Sequence, residues 1–365
     1  MSEPTPFRPT GTKTEAPAMR WQGQRVDAVD GGALPGLAQI TGLVRSVQTP
    51  EFQGITFHEV LAKSALNHVA ATARVMPGEY TINPYRGCSH ACVYCYARPT
   101  HEHLGMGLGD DFETQIVVKT NIAEVLRREL SRKRVLPDRV ALGTNTDPYQ
   151  RAEGRYALMP GIIDALTDAR MPFSILTKGT LIRRDIGRLR RAADHVDVQL
   201  GLSIAVLDDD LQRSIEPGTP SATARLETLK AIRDAGLDCT VFAAPLLPGL
   251  ADSAEQIDSL VGALADAGAT NVLPTLLYLQ PGVKELYFAW LQRERPDLVA
   301  GYRRLYAGGT QASGDYQKLV YRRLRDALVR HGLPIPNRDT HELFQLRGKR
   351  PSPAPSDAPA APTLF

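Results

Sequence analysis

Cysteine is scarce in this chain of 365 residues, which holds only four. Three of them, Cys88, Cys92 and Cys95, fall in one short stretch. That excludes the disulfide framework of a small secreted domain and turns attention to metal ligation. Long apolar runs are missing too: none approaches the ~20 residues a membrane-spanning helix needs. The opening MSEPTPFRPTGTKTEAPAMRW lacks the apolar segment of a secretory signal, so the cytoplasm is the expected location and no membrane partner is expected. Nor is there a large charge imbalance. A net charge of +3 gives no overall bias toward nucleic acid or membrane. No internal repeat of fixed period stands out. What remains is ordinary globular composition, 43% hydrophobic and 23% charged, in a chain long enough for one large domain with appendages or two ordinary ones.

Residues 1–18 are rich in Pro and Thr without apolar periodicity and read as disordered. MRWQGQRV, from Met19, looks like structured protein, so Met1 and Met19 both stand as possible starts. Residues 19–75 form a mixed N-terminal extension with one expected helix near Phe57–His68. Short apolar runs then read as strands: Tyr80–Asn83, Arg139–Leu142, Phe173–Thr177, Val196–Ser203, Cys239–Ala244 and Asn271–Leu277. Helical patterns lie between most of them. Asn121 to Glu124 spells a capping box that opens a helix to about Arg132. Met159–Ala169, Ala222–Ala235 and Ala254–Ala267 carry apolar positions at helical spacing. In Ala222–Ala235, Leu226, Leu229 and Ile232 share a face and Gly236 supplies the stop. Six strands alternating with helices predict an α/β fold with a parallel sheet over residues 76–283. Periodicity leaves a doubly wound sheet and a partial barrel equally open; in both, the loops after the strands build the site. Residues 284–345 read as a helical C-terminal extension, and 346–365 as a disordered tail rich in Pro, Ala and Ser.

The first strand runs into Asn83-Pro-Tyr-Arg-Gly-Cys88-Ser-His-Ala-Cys92-Val-Tyr-Cys95-Tyr, a C-x3-C-x2-C spacing. A loop this short can place one thiolate on each of three irons of a 4Fe–4S cubane, where four cysteines are usual. The fourth iron then keeps an open site able to bind the amino and carboxylate groups of S-adenosylmethionine. Reductive cleavage of that sulfonium yields a 5′-deoxyadenosyl radical, and the protein supplies position and shielding. The alternative on residue types alone is zinc, with His90, His101 or His103 completing a tetrahedron, but zinc sites normally pair two separated Cys/His couples. Cys239, in an apolar strand, reads as a small buried residue.

This spacing, with Tyr94 directly before the last cysteine, resembles the signature of the radical S-adenosylmethionine superfamily. The stretch NPYRGCSHACVYCYARPTHE is similar to its spore photoproduct lyase-like branch over roughly residues 76–280. From Met19 onward the chain resembles an actinobacterial subfamily of that branch. The resemblance implies a partial (βα)6 barrel of the TIM type, a 4Fe–4S cluster on Cys88, Cys92 and Cys95, and S-adenosylmethionine as cofactor. It also implies an external electron donor of flavodoxin or ferredoxin type. It assigns cofactor contacts to Thr146 and Asp147, to Lys178 near the methionyl carboxylate, to Ser203, to the backbone of Ala244 at the adenine and to the backbone of Tyr94 at the adenine amino group. By residue type alone, the Gly143–Gln150 segment is equally a capping loop and Lys178 equally a surface lysine. Glu216 and Arg225 read as a structural ion pair.

One position departs from the branch. Its DNA-repair member returns a hydrogen atom from a cysteine after the second strand, and Thr144 stands there in this chain. Tyr85, Tyr96 and Tyr149 are the alternative hydrogen relays, each equally readable as a packing residue. Arginine pairs at 127–128, 183–184 and 190–191, with further basic residues at 132–134 and 322–325, lie at helical spacing and read as solvated faces, with a phosphate-rich or nucleic-acid substrate left open. Three functions are in play: a radical enzyme of unspecified substrate, a cluster-bearing DNA-binding or sensing protein without turnover, and a zinc-bound adaptor. The sequence fixes no catalytic residue and no oligomeric state.

Overall fold

The computed structural model describes residues 40–69, 79–133 and 136–336. The two segments expected to be disordered, and Met19, lie outside the described residues. Among the described residues eleven strands occur: β1 (Leu43–Val47), β2 (Thr56–Val60), β3 (Leu66–His68), β4 (Tyr80–Ile82), β5 (Tyr85–Arg86), β6 (Gln115–Lys119), β7 (Val140–Leu142), β8 (Phe173–Thr177), β9 (Val198–Ser203), β10 (Cys239–Leu246) and β11 (Asn271–Leu276).

Seven of these form one sheet in the order β3-β4-β7-β8-β9-β10-β11. The six strands from β4 onward are parallel neighbours, and β3 caps the edge antiparallel to β4. They are the six strands the apolar runs predict. The sheet does not close on itself, as a partial barrel requires. Alternation along the strands separates two faces. Ile175, Leu200, Leu202, Val241 and Ala243 pack into the large core shared with the helices. Ala141, Leu176, Phe242 and Leu273 form a small cluster on the other, inner face. Cys239 has the phase of Val241 and Ala243 and belongs to the outer core. Its side chain therefore points away from the barrel interior. Lys178, Ser203 and Ala244 carry the phase of the inner cluster, two residues beyond Leu176, Gly201 and Phe242.

Helices Ile122–Arg132, Leu158–Asp168, Ala222–Asp234 and Ala254–Asp266 lie within two residues of their predicted ends. Leu229 and Ile232 are fully buried while Leu226 is half-buried. Gly236 takes φ +75° as the stop. Helices Val283–Glu294, Pro296–Leu305 and Gly314–Arg330 follow β11.

Two expectations fail. The Asn121 side chain does not cap its helix. Its amide instead accepts from the Ala62 amide at 2.8 Å and donates to the Ala62 carbonyl at 3.1 Å. A tertiary pair of bonds has replaced the local one. The expected helix over Phe57–His68 is β2, a break and β3. β2 sits in a second sheet, order β1-β2-β6-β5, between β1 and the parallel β6. Phe57 packs on one face with Ile116 and Val118, Val60 on the other with Val117. This pairing partner lies more than fifty residues downstream, so local periodicity carries no sign of it.

Candidate functional site

The cysteine loop leaves β5 at the carboxyl end of the parallel strands. It turns at Gly87, φ +79°, where a Cβ would meet the carbonyl oxygens of Phe112 and Gln115 at 2.9 Å each. From there the backbone is clamped from several sides. The Cys88 amide donates to the Phe112 carbonyl at 2.8 Å. The Gln150 side chain accepts from the Ser89 amide at 2.9 Å and donates to the Gly87 carbonyl at 3.0 Å. The Val93 amide donates to the Ile215 carbonyl at 3.0 Å, and the Gly218 amide to the His90 carbonyl at 3.0 Å. Gly218 is required there, because a Cβ would fall 1.9 Å from the Ser89 oxygen.

Arg98, 3% exposed, closes the far side. Its Nε donates to the Cys92 carbonyl at 3.0 Å and its Nη2 to the Ala91 carbonyl at 3.2 Å. Its remaining donors reach the Leu108 and Gly109 carbonyls and Glu113, and the guanidinium lies over the Phe112 ring. Cys88 and Cys92 are buried, Cys95 is half-buried, and all three are free thiols. Burial pushes the Cys95 thiol up to about 11 and the Cys92 thiol well above its ordinary range. A metal binding there displaces their protons.

The donor set suits an iron–sulfur cubane. Three soft thiolates come from one loop; of the nearby histidines His101 is engaged elsewhere, His103 is exposed, and His90 stands between Asp147 and the Cys88 thiol. His101 Nε2 lies 3.1 Å from the Gln115 carbonyl oxygen, His90 Nδ1 lies 3.3 Å from Asp147 Oδ2, and His103 is exposed. Among the described residues no three His, Cys, Asp or Glu side chains converge on a single ion.

Beside the loop sits a buried charge cluster. Lys178 directly follows β8, and its Nζ donates to Ser203 Oγ at 2.8 Å and to Glu216 Oε1 at 2.9 Å. Arg225 Nη2 lies 2.9 Å from Glu216 Oε2, both side chains 1% exposed. Tyr94 donates its hydroxyl to Glu216 Oε1, and the Ser203 hydroxyl donates to the Ala244 carbonyl at 2.9 Å. Burial alone would raise the Glu216 carboxyl; the Lys178 ammonium and Arg225 guanidinium more than offset this and hold it well below the usual carboxylate range. Tyr94, Lys178, Ser203 and Ala244 thus meet at one place. The expected Glu216–Arg225 pair is there, but Glu216 also holds Lys178 and Tyr94, which the sequence did not foretell.

Asp147 and Thr146 stand on the loop after β7, joined to the others through Lys178. Asp147 Oδ2 accepts from the Lys178 amide at 2.7 Å, and Oδ1 from Thr177 Oγ1 at 2.5 Å and the Tyr149 amide at 2.8 Å. Thr146, 2% exposed, donates to the Tyr85 carbonyl at 3.0 Å. Both side chains therefore brace the loops in this structure. The three candidate relay tyrosines part company. Tyr85 donates to Glu153 at 2.5 Å and Tyr149 to Asp185 at 3.1 Å, both in the buried core. Tyr96 is 40% exposed and donates to the carbonyl of Thr144, and Gln280 donates to the Tyr96 carbonyl. Arg98 escaped the sequence reading, Gln150 entered it only as the end of the Gly143–Gln150 segment, and His90 only as a possible zinc ligand. The only hint was their closeness to the cysteines or to Asp147 along the chain.

The described residues contain no helix long and apolar enough to cross a membrane. Residues 82–261 match the model of the radical SAM superfamily. The chain is 51% identical over 355 residues to an uncharacterized protein of Mycobacterium tuberculosis (strain H37Rv), covering 95% of this chain and 100% of that one. An uncharacterized protein of Methanocaldococcus jannaschii is 28% identical over 194 residues, 53% of this chain and 69% of its own. Among solved structures, spore photoproduct lyase complexed with dinucleoside spore photoproduct superimposes with a TM-score of 0.57 at 16% identity, over 84% of this chain and 85% of that one. At that identity the likeness is one of fold, and the fold is the partial barrel with flanking helices described above. With the three-cysteine loop at the mouth of that barrel, the chain belongs to the radical SAM superfamily of enzymes.

Proposed function

We propose that this protein binds a 4Fe–4S cluster through Cys88, Cys92 and Cys95, binds S-adenosylmethionine beside it, and abstracts hydrogen from a substrate whose identity is open. The observation that carries this reading is the clamped loop of three free thiols placed against the Lys178–Ser203–Glu216 cluster at the carboxyl end of the strands. When bound, the two groups supply reductive cleavage of a carbon–sulfur bond and hence a 5′-deoxyadenosyl radical. The chain's own residues do the rest. Arg98 and Gln150 fix the backbone that carries the thiolates. Lys178 offers an ammonium to the methionyl carboxylate, and Ser203 orients that ammonium. Tyr94 and Ala244 present backbone groups to the adenine. Thr146 and Asp147, which the resemblance assigns to the methionyl amino group, brace the loops around that site through Tyr85, Thr177 and Lys178. An external donor of flavodoxin or ferredoxin type supplies the electron. Residues 76–283 form the catalytic core in this reading, with 19–75 and 284–345 as extensions.

The hydrogen-return step differs from that of the DNA-repair lyase, because Thr144 stands in the cysteine's place. Of the three tyrosines, Tyr96 is the one adjacent to Thr144 and open to solvent. Anaerobic reconstitution with iron and sulfide, dithionite reduction and an assay for 5′-deoxyadenosine test the proposal. A brown protein that releases 5′-deoxyadenosine supports it. A cluster without that product favours a sensing or DNA-binding protein, and stoichiometric zinc without iron favours the adaptor.

A further inference from the structure

The small sheet places one cation on the strand that delivers the cysteine loop and a second beside it on the neighbouring strand. In the antiparallel β5–β6 pair, Arg86 lies opposite Val117. Residues opposite each other share a face, and so do residues two apart on one strand. Arg86 and Lys119 are therefore diagonal neighbours on one face. It is the face of Val60 and Val117, which pack with Leu104 and Met106. The opposite face buries Tyr85, Ile116 and Val118.

Both cations are half-buried. Among the described residues neither has a hydrogen-bond or ion-pair partner. The carboxylate that acts on Lys119, that of Glu129, spends its Oε2 on the amides of Ala65 and Leu66 at 3.2 and 2.9 Å. His58, on this face of β2, is satisfied by Ser46 at 2.8 Å and Gln115 at 2.9 Å, and His101, which the Arg86 charge reaches, lies 3.1 Å from the Gln115 carbonyl oxygen. Burial and the Arg86 charge hold the Lys119 ammonium down to about 8. Two like charges held side by side, with the one carboxylate that acts on them already bonded to two amides, are costly, and an anion between them removes that cost.

We propose that Arg86 and Lys119 form a seat for the oxyanion of a phosphate ester, two residues ahead of Cys88. A guanidinium offers a fork of donors that matches phosphate oxygens, and a lysine adds a compact charge. A group seated there is tethered next to the cluster loop, so the seat selects substrates that carry a phosphate. The proposal does not rest on the cluster chemistry, and its failure leaves that reading untouched.

The test uses the full-length reconstituted protein and its Arg86→Met and Lys119→Met variants, which keep the apolar stems. Calorimetric titration with inorganic phosphate, a mononucleotide and a short single-stranded oligonucleotide is run at matched ionic strength. The expected result is measurable phosphate binding by the parent protein and a loss of about tenfold or more in each variant, the effect of one charged hydrogen bond. Variant-sensitive binding of the mononucleotide but not the oligonucleotide assigns the seat to a terminal phosphate. Variant-sensitive binding of the oligonucleotide assigns it to a phosphodiester backbone. In chloride, the Lys119→Met protein is expected to melt no lower than the parent, since a repulsion has been removed. No phosphate binding, or equal binding by parent and both variants, overturns the proposal. So does a large loss of stability in chloride for Lys119→Met, which would mark the lysine as structural.

Discussion

The ammonium of Lys178 donates to Glu216 at 2.9 Å, across 38 residues of chain and in a place where Glu216 is 1% exposed. This contact ties the end of β8 to the loop before helix Ala222–Asp234. It also makes the proposed cofactor ligand part of a buried charge network. A group that binds the Lys178 ammonium must share it with Glu216 or take it away.

Cluster binding is the first expectation to check. Replacing Cys88, Cys92 or Cys95 with Ala should abolish the visible absorbance and iron content of the anaerobically reconstituted protein. Cys239→Ala should keep both, because Cys239 faces the outer core. Iron retained in full by any of the three loop variants would remove that cysteine from the ligand set.

Lys178→Ala should weaken S-adenosylmethionine binding by ~1.5–3 kcal/mol, the usual worth of a charged hydrogen bond. Equilibrium binding to the reconstituted protein measures this. Iron content serves as the control that the loop still folds. An unchanged dissociation constant would show that Lys178 serves Glu216 alone.

Glu216→Gln should destabilise the fold by about 3–5 kcal/mol, since Lys178 and Arg225 would be left as uncompensated buried charges. The pH dependence has a definite sign. The folded carboxyl is held below its ordinary value of 4.5. Its contribution is therefore fully present above about pH 4.5 and is lost as the pH falls toward the folded value. Acid unfolding of the parent should steepen below that point, and the Gln variant should lack this extra slope. Parallel curves for the two proteins would contradict the assignment.

Arg98→Met should loosen the cysteine loop by removing the bonds to the Cys92 and Ala91 carbonyls. The expected readout is faster loss of iron to a chelator, with the far-ultraviolet circular dichroism unchanged. Equal release rates would show that the other clamps suffice.

Presented with spore photoproduct, the enzyme should release 5′-deoxyadenosine slowly without restoring thymine. A thiol gives up hydrogen to a carbon radical readily and a threonine hydroxyl does not. Cys239 cannot substitute. It lies five residues before Ala244, ~16 Å at ~3.3 Å per residue, and its side chain points to the outer face. Multiple turnovers to thymine would refute this and turn attention to Tyr96, whose replacement by Phe should then stop them.

The six parallel strands and four helices between them were legible because each carries its signal locally. An apolar run such as Phe173–Thr177 is buried whatever its neighbours, and a stripe such as Leu229 with Ile232 needs only one helix to exist. Phe57–Val60 misled because its apolar spacing fits a helix turn as well as a strand, and only β6 decides between them. Asn121 misled for a related reason: two bonds to Ala62 outcompeted the cap.

By itself the sequence determined the cysteine loop, whose three thiols all lie within a few residues of one another. It also determined the apolar runs near whose ends Lys178, Ser203 and Ala244 stand, because each run carries its own signal; which face each side chain takes came with the fold. Tertiary structure alone decided what surrounds them. Glu216 meets Tyr94 and Lys178, Arg98 and Gln150 hold the loop backbone, and Arg86 stands beside Lys119 because separate strands and loops pack into register. Those meetings depend on long-range packing, and no local spacing records it.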